Sequence, residues 1–286
     1  MVQFSGVTSL DFKPITAKRP SITRRAYKTV CRNPLKVITA FVSISAIALA
    51  CFLTSNLLRL GDFEREIRVY KNAVKSRPGS ADAHYSLGTA YVQSPYYENA
   101  IEEYKRAIEI EPDHAEAYYG LGIAYGISEK YKEAIEAYEK AIEIKPDYAQ
   151  AYYGLGFACY HSKNYEDAIE ALKQYIKMRP NDVDATHLIG RSYEKLGNYG
   201  TAAQAYEKSV TINPVEAYPK LGFNYQMSGD YENAIEALKK AIESDPNRAA
   251  TYSDIGSVYF MSGRHQEAIE ACLKAINITT VPLTFE

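Results

Sequence analysis

Apolar and small residues recur along this chain with a period of 34. From Ala81 to His114 the sequence places Leu87, Gly88 and Tyr91, then Ala100, Tyr104 and Ala107, then Pro112. Ala115 to Tyr148 has the same layout: Leu121, Gly122, Tyr125, Ala134, Tyr138, Ala141, Pro146. A third copy reads Leu155, Gly156, Cys159, Ala168, Leu172, Tyr175, Pro180. Leu121, Gly122 and Tyr125 share one face of a first helix, and Ala134, Tyr138 and Ala141 share one face of a second. The small residues let two helix backbones approach, with Tyr118 and Tyr125 expected to fill the gaps. Pro146 should stop the second helix, because proline neither donates to the helical ladder nor fits its interior. Short turns at 127–130 and 146–147 make neighbouring helices antiparallel. One copy cannot bury its apolar face, whereas stacked copies can, so the pattern predicts an α-solenoid.

These landmarks resemble the tetratricopeptide repeat, a helix-turn-helix unit of the same length. Six copies are legible, at 81–114, 115–148, 149–182, 183–214, 215–248 and 249–282, or roughly 70% of the chain. The resemblance implies an all-α fold, a right-handed α-solenoid. Copy four is two residues short, with Ile189, Gly190, Tyr193, Ala202, Tyr206, Ser209 and Pro214 at the landmarks. Copy five carries Pro219, expected in the first turn of its first helix, where proline is tolerated. The angle between repeats is therefore expected to change at 213–219. Copy six has Cys272 and Thr280 where a ring and a proline stand elsewhere. Gly61, Asp62, Phe63, Ile67, Tyr70, Ala73 and Pro78 match the second half of a copy, in phase. Residues 60–80 are thus expected to hold a helix at about 62–76, either part of an extra repeat or a juxtamembrane helix.

The net charge of −2 hides an asymmetry. Residues 1–36 carry eight Lys or Arg against Asp11 alone, a net of +7 that leaves −9 for the rest. This basic arm, expected to be disordered, precedes Val37 to Leu58, which holds no charged side chain. Twenty-two helical residues reach about 33 Å, enough for a bilayer core of roughly 30 Å. The stretch reads as one transmembrane helix preceding the solenoid. A buried helix completing the partial copy is the alternative. The Lys/Arg excess before the span places the arm in the cytoplasm and the repeats across the membrane, periplasmic or equivalent. Cleavage remains open: Ala48-Leu49-Ala50 resembles a signal-peptidase site, Ala50-Cys51 faintly a lipoprotein site, and Thr23 to Tyr27 a twin-arginine signal. The arm also has the composition of a mitochondrial presequence. A four-residue tail, 283–286, follows the last copy.

Candidate chemistry is sparse. The five histidines are scattered over different copies, and neither a metal-ligand spacing nor a phosphate-binding glycine loop nor a nucleophile elbow occurs. The four cysteines build no disulfide framework, since Cys159 and Cys272 lie three copies apart. Neither a metal, a cofactor nor an enzymatic activity is expected, and no nucleic-acid partner.

The resemblance implies that first helices line a concave groove, with their second, fifth, ninth, twelfth and thirteenth positions pointing into it. The fifth position gives Tyr85, Tyr119, Tyr153 and His187. The ninth gives Ile123, Phe157, Arg191 and Phe223, and Tyr160 stands at the twelfth. Aromatic and Arg side chains dominate binding hot spots, and tyrosine offers an apolar face with a hydroxyl at small entropic cost. These nine residues are the candidate protein-binding groove. Tyr118, Tyr152, Tyr218 and Tyr252, one position earlier than the tyrosine row, are expected to pack between first helices. The expected role is a membrane-anchored scaffold holding a peptide or protein segment, for assembly of a membrane or envelope complex. Self-assembly of the array, giving a homo-oligomer, and regulation of a separately encoded enzyme are the alternatives.

Overall fold

The computed structural model describes residues 62–280, which form thirteen α-helices and no strand. They are α1 (62–76), α2 (Ala81–Gln93), α3 (Tyr97–Ile110), α4 (Ala115–Ile127), α5 (Tyr131–Ile144), α6 (Ala149–His161), α7 (Tyr165–Met178), α8 (Val183–Lys195), α9 (Tyr199–Glu207), α10 (Pro214–Met227), α11 (Tyr231–Ser244), α12 (Ala249–Met261) and α13 (His265–Thr280). Phe63 to the end of α13 belongs to one compact unit. The arm at 1–36, the apolar stretch at 37–58 and the tail at 283–286 lie outside the described residues. Among those described, no helix is long and apolar enough to cross a membrane.

From α2 to α13 every consecutive pair of helices packs together, and Ile67 of α1 joins the cluster of Leu87 and Tyr91 in α2. The first helices of successive copies also touch, in the pairs α2–α4, α4–α6, α6–α8 and α10–α12. Successive second helices do not pack comparably, so the first helices form the inner layer and the second helices the outer one.

Glycine sets how closely the layers approach. A Cβ on Gly122 would stand 2.6 Å from the Tyr138 ring, and one on Gly154, in the next copy, also 2.6 Å. Tyr138 thus lies between its own first helix and the following one. Tyr104 lies likewise between Gly88 and Gly120. The rings that face the glycines come from the second helices; Tyr125 packs beside them against the clusters around Tyr104 and Tyr138, as expected, but Tyr118 does not. Tyr118 instead lines a furrow of about 530 Å³ on the outer face, with Tyr125, Glu133 and Lys140. Tyr152 and Tyr218 line the equivalent outer furrows, not first-helix seams.

The turn inside each of copies two to six passes through the left-handed region at Glu129, Lys163, Gly197, Gly229 and Gly263. Three of the five use glycine, which pays no steric penalty there. Lys163, at φ 69°, does. Lys163→Gly should therefore stabilise the array by about 0.5–1 kcal/mol, the strain relieved outweighing the entropy added to the unfolded chain. Urea denaturation checks this; a lower midpoint would refute it.

Copies four and five are joined irregularly. The two-residue deletion ends α9 at Glu207, and Ser209, Val210 and Ile212 close tight turns onto Tyr206, Glu207 and Ser209. Pro214 does not terminate a second helix, as the prolines of other copies do. It opens α10, whose N-cap Asn213 accepts from the Glu216 amide. Pro219 consequently falls in the second turn of α10, not the first. Its missing N–H leaves the Val215 carbonyl without a helical donor, near an exposed helix end. The inner-layer packing is sparser here, between α8 and α10, where the Asn224 side-chain amide donates to the Glu194 carboxylate at 2.7 Å.

Candidate protein-binding groove

The inner face is built from the exposed sides of α2, α4, α6, α8, α10 and α12. Its fifth-position tyrosines are half-buried, each leaning on the second helix of its own copy. Tyr85 lies 5.8 Å from the Tyr104 ring and 5.2 Å from His114. Tyr119 lies 5.9 Å from Tyr138 and 4.9 Å from Tyr148. Tyr153 lies 5.2 Å from Tyr175. The Thr89 hydroxyl donates to the Tyr85 carbonyl, so the Tyr104 hydroxyl, 3.3 Å away, donates to Thr89. Burial pushes Tyr104 up to about 12 and raises Tyr119 and Tyr148 as well. The wall is therefore neutral, offering hydroxyls that donate and accept but do not ionise.

The ninth-position row is more open. Ile123 is half-buried, but Phe157 is 41% exposed and Phe223 47%. Between them in chain order stands Arg191, exposed, its guanidinium 4.8 Å from the centre of the buried Tyr160 ring. Among the described residues it forms no salt bridge. Phe157 packs 4.3 Å from the His161 ring. Burial, and secondly Arg191, hold His161 below its ordinary pKa, so it is a neutral neighbour.

Two of the nine candidate residues turn inward. Tyr160 is the buried floor beneath Arg191. His187 is buried at the irregular junction, 5.4 Å from the Tyr206 ring. Its Nε2 lies 3.0 Å from the Ser209 hydroxyl, which itself donates to the Tyr206 carbonyl, so Nε2–H is the donor. Burial, then Lys220, keep His187 neutral. Its task is to hold the shortened α9 against α8.

Four family models described as tetratricopeptide or TPR repeats match residues 96–126, 127–191, 183–216 and 215–280. Residues 96–280 are tetratricopeptide repeats. Among solved structures, the fold is similar to YrrB, described as a TPR protein with an unusual peptide-binding site. That likeness has 24% identity and a TM-score of 0.57 over 64% of this chain and 95% of YrrB. Two crystal structures of MamA are also similar. One has 28% identity and a TM-score of 0.56, over 59% of this chain and 94% of MamA. The other has 27% identity and a TM-score of 0.51, over 56% and 94%. No curated protein matches the sequence.

The tetratricopeptide phase locates groove residues that the candidate set omitted. Ile127, Met227 and Met261 occupy the thirteenth position and are exposed, as is Phe260 at the twelfth. The signal was available, since each thirteenth position ends a first helix, where neighbouring helices no longer cover it. With Phe157 and Phe223 these residues continue the apolar lining to copy six. Gln226 Nε2 reaches Met261 Sδ at 3.3 Å, linking copies five and six along this face.

Nothing in the lining suits covalent chemistry. Cys159 is buried on the outer side, and burial pushes its thiol up to about 12, so it does not present a thiolate. Among the described residues, no three His, Cys, Asp or Glu side chains gather as a metal would require. The lining offers rings, thioethers, hydroxyls and one open guanidinium, which suits non-covalent recognition of a polypeptide.

Proposed function

We propose that the chain is a membrane-anchored scaffold that holds a protein segment along the inner face of its repeats, for assembly of a membrane complex. The observation that carries this reading is Arg191, open and without a salt bridge on an aromatic floor, flanked in the same row by exposed Phe157 and Phe223. Monomeric proteins seldom leave large apolar side chains in a continuous row unless something covers them. Aromatic and arginine side chains together are the usual anchors of an interface. A photo-crosslinking side chain at Phe157 or Phe223 should capture a partner, and one at Lys140 on the outer face should not. Equal capture from both faces would end the groove reading.

Anchoring rests on the uncharged run Val37 to Leu58, bounded by Lys36 and Arg59. The excess of Lys and Arg before it supports repeats on the far side of the membrane. Protease added to intact spheroplasts should digest residues 81–282 before lysis. Protection until detergent is added would place the repeats inside and reverse the orientation.

A further inference from the structure

Successive repeats in this chain dock through one surface of the second helix. In copy one its centre is Ile101, 8% exposed, clustered with Leu121 and Ala124 of the following first helix. In copy five it is Ile235, 3% exposed, clustered with Ile255 and Val258. Seven residues later Ile108 and Ile242 complete the surface. In α13 the same positions are Ile269 and Ile276, and they are 56% and 55% exposed. The repeat–repeat interface therefore continues onto α13 with nothing described to cover it.

The sequence of α13 also departs from its siblings on this side. Leu273, 55% exposed, stands where the other copies carry Lys105, Glu139, Lys173, Glu207 and Lys239. Ile269, Cys272, Leu273 and Ile276 follow i, i+3, i+4, i+7 spacing and form one stripe. Towards its two ends the stripe is bounded by His265, Gln266, Thr279 and Thr280, none of them a carboxylate or a Lys/Arg cation, and Glu270, which accepts from Gln266, stands at one side of it. Phe260, also exposed, has its ring 5.5 Å from His265 and extends the patch past the helix start. A solvated helix face normally carries charge, and this one has lost it where its docking surface is open.

We propose that α13 is a homodimerisation surface, on which two copies of this chain pair antiparallel. The stripe has the same spacing read in either direction. An antiparallel second copy thus sets Ile269 against the partner's Ile276 and Leu273 against the partner's Cys272. A second copy has no described first helix free to dock on α13 in the way repeats stack, because each of its first helices is already held within its own array. It meets the open face with its own α13. The helix has 16 residues, so the seam is about 24 Å long and buries on the order of 1,000 Å² in total, the low end for specific association. The dimer is accordingly concentration-dependent. This pairing leaves the inner groove free and does not depend on the groove reading.

The test uses the full chain in mild detergent, with Cys31→Ser and Cys51→Ser so that Cys272 is the only exposed thiol among those remaining. Sedimentation across the micromolar range should show a monomer–dimer equilibrium, and a short bis-maleimide should link two copies through Cys272. Leu273→Lys should raise the dissociation constant more than tenfold and abolish the cross-link, with helicity and thermal midpoint unchanged. Cys272→Ser should keep the dimer and lose the cross-link. A monomer at every concentration would overturn the proposal. So would a dimer that survives Leu273→Lys, or a Cys272 that fails to cross-link in the folded dimer. Should Leu273→Lys not fold, the cross-link in the parent chain decides alone.

Discussion

Gly122→Val should destabilise the array by about 2–4 kcal/mol, while Gly126→Ala, four residues away on the same helix, should stabilise it by about 0.5–1 kcal/mol. The difference lies in what a new side chain meets. At Gly122 a Cβ would stand 2.6 Å from Tyr138 Cε1, 2.7 Å from Cδ1 and 2.9 Å from Cζ. The ring cannot yield, because Gly154 of the next copy approaches its other side at 2.6 Å and Tyr138 is already buried. The valine must therefore push α4 away from α5, opening the packing of copies two and three together. At Gly126 the nearest foreign atom is the Tyr138 hydroxyl at 4.0 Å, an ordinary contact. There alanine only removes the entropic cost of glycine within a helix. Repeat arrays need not unfold in one step, so the measurement should combine urea unfolding with hydrogen exchange resolved over 115–182. Equal effects at the two glycines would show that Tyr138 does not set the approach of the layers.

The same pair of glycines shows what was legible in the sequence. The 34-residue phase marked Gly122 as a close-approach site, located the helices and identified the prolines that follow the second helices. It did not say which ring answers the glycine, because periodicity identifies a buried face and not its partner across the interface. Tyr118 and Tyr138 are equally large and both at helical spacing, yet one lines an outer furrow and the other fills the seam. Pro219 illustrates a second limit. Its place relative to the helix start depended on α10 opening at Pro214, and that followed from the early end of α9 after the two-residue deletion. His187 illustrates a third. It keeps the groove phase, but Ser209 replaces the small alanine of copies one, two, five and six and gives the imidazole a buried partner. The thirteenth-position residues Ile127, Met227 and Met261 were readable by phase alone, whereas their exposure was not.

Phe157→Ser combined with Arg191→Glu should weaken capture of the partner segment by about 10²–10³-fold, and cost the fold less than about 1 kcal/mol. Both side chains are exposed, so their removal opens no core cavity. Tyr119, by contrast, is wedged between Tyr138 and Tyr148, and truncating it would confuse lost binding with lost packing. Phe157 offers its ring beside His161, and Arg191 already rests over Tyr160, 4.8 Å from the ring centre, so that binding costs little further entropy. Reversing the charge at 191 also sets a carboxylate beside Glu194, one turn on, whose own carboxylate accepts from Asn224. An incoming acidic group would then meet two like charges in place of one cation. Each substitution alone should lose roughly 2 kcal/mol of binding if these are hot-spot anchors. The readout is titration of the segment that a photo-crosslinker at Phe223 captures, with circular dichroism as the folding control. Binding within threefold of the parent in the double variant would move the recognition surface away from the middle of the groove, towards Met227, Phe260 and Met261.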